Sequence, residues 1–426
     1  LVALLNVRST DADAFPAKRY RLSNGLLLIH QQVTAAPVVT VDVWVRAGAA
    51  LEPEPWSGMA HFLEHMIFKG TANLLPGQFD QIIENRGGIT NAATSQDYAH
   101  YFISTAADQF SATVPHLADL LLNAAIPDAE FELERDVVLE EIRRSFDDPD
   151  GVGFQVLLET LYQSHPYGRS ILGDAAKLIE HSPQEMRWFH RAHYQPENMT
   201  VVVVGDVDWQ QTLELVSQAF ATFPSRTDCP RLVKSSQPLL HEMRRQVVEL
   251  PRLGMARLML GWVAPGVESL RSAYGLDLLA ATLTGGRTSR LVRELREERG
   301  LVQDINSSFS LQRDSSLFSI TAWLDSAQLD QVEAIISDRL SELAAVPIGE
   351  TELKRSQRLL CNDYAFSTET ASQLAGLYGY YSTIAQPELA IAYPQVISSF
   401  ESVELQQLAS QYVSPLRYAA VILQPA

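Results

Sequence analysis

The chain is short of sulfur, short of positive charge and without a long apolar run, and each shortage removes a class of function. Only two of its 426 residues are cysteine, Cys229 and Cys361. They lie far apart and form no Cys-x-x-Cys pair, so they build neither a disulfide framework nor a thiolate metal site. They read as free thiols of a reducing compartment, which points to the cytoplasm. Lysine and arginine number 33 against 51 acidic residues, a net charge of −18. Nucleic-acid partners need basic surface, so this balance argues against them. Such acidity is mainly a solubility feature, although it also suits basic peptides. No apolar run approaches the roughly 18 residues of a membrane span, and the opening LVALLN is too short for a secretory signal. Neither a Gly-x-Ser-x-Gly elbow nor a Gly-rich phosphate loop occurs, so serine acyl transfer and nucleotide hydrolysis lose their usual signatures.

What is present is ordinary in amount, 46% hydrophobic and 20% charged, and unusual in arrangement. A chain of this length exceeds one ordinary core, so two or more domains are expected. The halves look like copies offset by about 218 residues. VVTVDVWVRAG (38–48) matches MARLMLGWVAPG (255–266). Thr90-Asn91-Ala92 matches Ile305-Asn306-Ser307, Glu132-Leu133-Glu134-Arg135 matches Glu352-Leu353-Lys354-Arg355, and 201–205 matches 419–423. Ser23-Asn24-Gly25 marks a hairpin turn near the start. Each half reads as hairpin strands, two helices, more strands, two or three long helices and a closing strand, with strands such as 41–46 half-buried. Residues 222–238 are proline-rich and aperiodic and read as a linker. The expected fold is therefore α+β in two homologous domains, 1–221 and 239–426, each a mostly antiparallel sheet with helices packed on one face.

Chemistry concentrates in His61-Phe62-Leu63-Glu64-His65. On a helix, His61 and His65 stand one above the other at i and i+4, and Glu64 projects from the same side. Phe62, Leu63, Met66 and Ile67 make the other faces apolar, so this helix should be buried. Three polar groups on a buried stripe need a partner, and a divalent metal is an economical one. Two such histidines are half of a zinc site, and a glutamate between them that does not ligate is a general base. A catalytic zinc takes three protein ligands. The run FELERDVVLEEIRRS (131–145) offers the third: on one helical stripe Phe131, Val137, Val138 and Ile142 accompany two carboxylates, Glu134 and Glu141. Glu140 is turned away by about 100°. Buried carboxylates are normally paired or metal-bound. In the second half the position of the histidine motif is apolar, at 278–281, and Glu141 falls near Cys361, so the first half alone carries the site.

His-x-x-Glu-His followed by Glu within E-R-D-V-V-L-x-E resembles the pitrilysin family of zinc metallopeptidases, which use the inverted zinc motif. Gly87-Gly88-Ile89-Thr90-Asn91-Ala92 with Thr94, Ser95, Asp97 and Tyr101, His165-Pro166-Tyr167-Gly168, residues 194–206, and Gly285-Gly286 through Arg296 are similar to the same family, so the resemblance spans nearly the whole chain. It implies that His61, His65 and Glu141 hold one Zn²⁺ per chain, that Glu64 is the base, and that Glu134 orients a ligand histidine. It implies a zinc metalloendopeptidase that cleaves unfolded peptides or presequences with a metal-activated water. Asn91 and Ala92 would lie on a strand edge that pairs with the peptide substrate. Arg296 would reach the substrate oxyanion from the second half. The family pairs that arginine with a tyrosine seven residues on, where this chain has Gln303. A two-domain chain cannot enclose a chamber alone. The expectation is therefore a heterodimer with a non-zinc sister subunit carrying the Arg/Tyr pair, with a homodimer as second choice. A catalytically silent or peptide-binding scaffold of the same fold is the alternative, opposed by the complete ligand set.

Overall fold

The computed structural model describes residues 15–229, 240–251 and 253–426. The LVALLN opening and most of the expected linker, 230–238, lie outside the described residues.

The first half contains β1 Lys18–Arg21, β2 Leu27–Gln32, β3 Val38–Val45, α1 Met59–Ile67, α2 Gln78–Glu84, β4 Ile89–Thr94, β5 Ala99–Ala106, α3 Phe110–Leu122, α4 Asp128–Ser145, α5 Pro149–Tyr162, α6 Ala175–Glu180, α7 Pro183–His193, β6 Met199–Gly205 and α8 Trp209–Ala219. The second half contains β7 Arg244–Leu250, β8 Ala256–Pro265, α9 Leu270–Thr284, β9 Asp304–Ser310, β10 Ser315–Leu324, α10 Leu329–Ala345, α11 Glu350–Phe366, α12 Ala371–Ile384, α13 Leu389–Ser398, α14 Ser402–Tyr412 and β11 Ala419–Pro425. More helices follow the strands of each half than the two or three expected.

The sheets run β1-β2-β6-β3-β5-β4 and β7-β11-β8-β10-β9. Apart from the extra β1, the orders are identical under the duplication. Each sheet is antiparallel except for one parallel pair, β2 with β6 and β7 with β11. All four matched blocks fall on equivalent elements: β3 and β8, β4 and β9, α4 and α11, β6 and β11. The fold is thus α+β in two homologous parts, as the pattern implies. The hairpin turn also forms: Gly25 takes φ 99°, a conformation open to glycine at little cost, and β1 pairs with β2.

A second feature departs from the sequence expectation. β3 and β6 are buried on both faces rather than half-buried. On one face, Val39, Val41, Val43, Val201 and Val203 join the core of their own half. On the other, Trp44, Val202 and Val204 join the core of the second half, because α12 packs there, on β3 and β6. The exchange is reciprocal. Helix α5 leaves the first half and packs on β7, β8 and β11, where Leu157, Leu158 and Leu161 meet Met259, Val421 and Leu423. Glycines permit the close approach. A Cβ on Gly379 would fall 2.0 Å from Trp44 Nε1, and one on Gly153 would fall 2.8 Å from both Leu423 and Met259. Each half keeps its own helices on one face of its sheet and receives its sister's helix on the other.

Candidate metal centre

Helix α1 is fixed before any ligand is considered. Met59, Ala60, Phe62, Leu63, Met66 and Ile67 are buried, which clamps three faces and leaves the histidine stripe as the only polar one. Its N-terminus begins at Gly58, in the left-handed region, without a cap from its own side chain. The cap comes from Glu52, whose carboxyl oxygens accept from Gly58 N at 2.9 Å and Ala60 N at 2.7 Å, placing an acid at the positive end of the helix. Burial pushes the Glu52 carboxyl up to about 8, against the pull of the two N–H bonds and Arg169.

Helix α4 crosses α1. Phe131, Glu134, Val138, Leu139 and Ile142 face inward, and Phe131 packs on Phe62 with ring centroids 4.6 Å apart. Two sequence expectations need correction here. Val137 is 50% exposed and does not belong to the buried stripe; Leu139 takes its place. Glu141 is exposed rather than buried, with 46% of its side chain accessible. The buried stripe is therefore narrower than the spacing implies: Phe131, Glu134, Val138 and Ile142 hold its centre, and Val137 and Glu141 fall on its exposed margin. Glu140 points away and pairs with Arg143 at 3.1 Å.

His61, His65 and Glu141 converge. Their candidate ligand atoms all lie within 4.8 Å of one another. Glu141 Oε2 is 3.7 Å from His61 Nε2 and 3.5 Å from His65 Nε2. Ligands on a tetrahedral zinc with bonds of about 2.1 Å stand roughly 3.4 Å apart, so the donor set fits that ion. Protonation also fits at His61. Burial, then the neighbouring His65, lowers His61 to about 4, which leaves a neutral imidazole. The His65 ring is anchored by Nδ1, 2.9 Å from Glu134 Oε1. With Nδ1 donating, Nε2 keeps its lone pair toward Glu141. Burial alone would lower His65, but the hydrogen bond and charge of Glu134, with Glu141 and Glu64, hold it above its ordinary value. Glu134 is held below its ordinary value: its burial acts upward, and the bonds from His65 and Lys69 outweigh it.

Glu64 stands beside this group without joining it. Burial raises its carboxyl above the ordinary range, partly offset by Thr94, whose Oγ1 donates to Glu64 Oε2 at 2.5 Å. Thr94 ends β4, the outermost strand of its sheet. On that strand Asn91 is exposed and Ala92 half-buried, and Asn91 Oδ1 accepts from Ala92 N at 2.9 Å. A carboxylate poised above its usual pKa beside an open strand edge can take a proton from water next to a paired peptide.

Lys69 and Thr94 were not singled out by sequence reasoning for these contacts. Lys69 Nζ lies 2.5 Å from Glu134 Oε2, and its position four residues after His65 was the available signal. Thr94 sat inside a quoted motif but without a partner, because its contact with Glu64 is tertiary. Arg296 is not brought to the metal group among the contacts of the described residues. It lies in the π-helical stretch Val292–Glu298 and pairs with Glu297 and Asp304, each at 3.0 Å. In the second half, the helix equivalent to α1 is α9, filled by Leu278, Leu279 and Ala280. Among the described residues no helix is long and apolar enough to cross a membrane.

The chain is similar to known proteins along most of its length. The family model described as Insulinase (Peptidase family M16) matches residues 27–175, and that described as Peptidase M16 inactive domain matches 181–360. An uncharacterized zinc protease of Mycobacterium leprae is 29% identical over 96% of this chain and 91% of its own length. The zinc protease PqqE of Helicobacter pylori is 28% identical over 95% and 92%. Among solved structures, a protease from Helicobacter pylori superposes with a TM-score of 0.88 at 28% identity, covering 96% of this chain and 99% of that one. The periplasmic protease PqqL from Escherichia coli shares the fold at 17% identity and TM-score 0.80, and this chain spans 48% of it.

Proposed function

We propose, from the premise that this chain belongs to peptidase family M16, that it is a zinc-dependent endopeptidase acting on extended peptides. The observation that carries the reading is the convergence of His61 Nε2, His65 Nε2 and Glu141 Oε2 beside a base, Glu64, that ligates nothing. One zinc per chain fits this single donor set among the described residues. Zinc held there would polarise a scissile carbonyl and acidify water. Glu64 takes the proton of the attacking water and returns it to the leaving amine. Thr94 keeps the Glu64 carboxylate aimed. Glu134, braced by Lys69, fixes the ring of His65. An extended peptide pairs along β4, where the Ala92 N–H now bonded to Asn91 Oδ1 would turn to a substrate carbonyl. Main-chain pairing of this kind makes little demand on side-chain sequence.

Arg296 is the outlying member of the set. As an oxyanion donor it would have to exchange Glu297 and Asp304 for substrate, and Gln303 stands where the resemblance implies tyrosine. This departure supports a heterodimer in which a non-zinc sister supplies the Arg/Tyr pair, with a homodimer second. The retained donor set speaks against a silent scaffold.

The test is metal removal and return. The purified chain, alone and with any sister subunit, should hold about one zinc and cleave an unstructured peptide. A chelator should stop cleavage and zinc restore it. Cleavage that survives complete metal removal would overturn the reading. Gel filtration with the same assay separates the assemblies: strong activity in a lone homodimer ends the heterodimer proposal.

A further inference from the structure

Two equivalent hairpin turns meet where the halves join. Residues 95–98 connect β4 to β5, and residues 311–314 connect β9 to β10. Each turn lies flat on a glycine just beyond a central strand. A Cβ on Gly48 would fall 2.4 Å from Gln96 O and Tyr98 N, and one on Gly266 would fall 2.4 Å from Arg313 O. Ala49 N and Ala50 N also donate to Ser95 O at 3.0 Å and Gln96 O at 2.8 Å.

The turns are joined through Asp97. Arg313 N donates to its Oδ2 at 3.0 Å. The hydroxyl of Tyr167, from the helical turn Pro166–Gly168, donates to its Oδ1 at 2.6 Å and accepts from Asp314 N at 3.1 Å. Gln312 Nε2 reaches Gln96 Oε1 at 3.4 Å. One carboxylate oxygen of a half-buried aspartate therefore crosses to the second half directly, and the other reaches it through the Tyr167 hydroxyl. Such a network holds its members in one arrangement only while it is complete.

Position gives this latch its meaning. Asp97 lies three residues after Thr94, in the same tight hairpin, where Ser95 N donates to Tyr98 O at 2.8 Å. We propose that Asp97 and Tyr167 are positioning residues through which the second half fixes the β4–β5 hairpin, and with it Thr94 against Glu64. The proposal rests on the peptidase reading above. It gives the non-zinc half a part in catalysis without a group at the metal: its 311–314 turn is the stop against which the catalytic hairpin is set. A general base displaced by an ångström loses much of its effect.

The variants are Tyr167→Phe, which keeps a ring packed on Tyr162 and His165, and Asp97→Asn, which keeps the shape. Two readouts are needed. Amide hydrogen exchange should quicken across 94–100 while the amides of β3 stay protected; unchanged exchange in both variants overturns the latch. With zinc content unchanged, kcat for a peptide should fall roughly tenfold. The drop should be non-additive with Thr94→Val, because both changes remove the same support of Glu64. Effects on kcat that multiply independently overturn the positioning role. Should Asp97→Asn fail to fold, Tyr167→Phe decides alone. Quickened exchange in variants of a wild-type chain that cleaves nothing, alone or with its sister subunit, would sink the peptidase reading and leave the latch as a structural device, so the two failures are distinguishable.

Discussion

Replacing Glu134 by glutamine should weaken zinc binding while leaving the fold intact. Glu134 is buried and serves two neighbours, with one oxygen 2.9 Å from His65 Nδ1 and the other 2.5 Å from Lys69 Nζ. Glutamine has nearly the same shape but one acceptor. If its carbonyl faces His65, its NH₂ meets the Lys69 ammonium, donor against donor. If it turns round, the His65 N–H loses its acceptor. One charge-assisted bond is lost either way, and the imidazole no longer faces a full negative charge. Loss of such a carboxylate behind a ligand histidine typically weakens metal binding by about 10–100-fold, equivalent to about 1.4–2.8 kcal/mol. Competition against a chromophoric chelator at fixed pH and salt measures it, with the melting temperature of the metal-free chain as control. An affinity within about twofold of wild type, at unchanged stability, would refute the role given to Glu134.

Other outcomes follow from the same geometry. Glu141→Ala should lose most bound zinc and cleavage, whereas Glu140→Ala should lose little, since Glu140 only pairs with Arg143 on the surface; metal analysis of both variants checks the order. Gly379→Ala should destabilise the joined halves by about 1–3 kcal/mol through overpacking, since the new Cβ meets Trp44; a melting temperature equal to wild type would contradict the exchange of helices. Acid should loosen the zinc half. Burial lowers His181 and His190 to about 4, below an unfolded value near 6.5. A depressed folded pKa contributes stability that is fully present above about 6.5 and lost as pH falls toward 4, at most about 3 kcal/mol for each residue. Denaturant melts across that window should show the loss, and His190→Gln should reduce its steepness.

Much of the centre was legible because its ligands are set by helical spacing. His61, Glu64 and His65 share one turn, and Glu134 and Glu141 are two turns apart, so local geometry carries the grouping. Burial was less legible. Periodicity placed Val137 and Glu141 on an inward stripe, but it cannot tell where a core opens to solvent, and both are exposed. The duplication was readable from four blocks, since equivalent strands keep equivalent patterns. The exchange of α5 and α12 was not, because an apolar stripe says that a helix needs a core and not which core. The run Val201 to Val204, apolar without alternation, was the one local hint that β6 is covered on both faces. Lys69, Thr94 and the Asp97–Tyr167 bond are tertiary pairings with no signature in spacing.

The most direct measurement is zinc content and peptide cleavage on the same preparation of Glu64→Gln. Glutamine keeps the size and the bond from Thr94 but cannot accept a proton at physiological pH. The account predicts about one zinc per chain with cleavage reduced by at least about two orders of magnitude. Cleavage close to wild type in the zinc-loaded variant would contradict it.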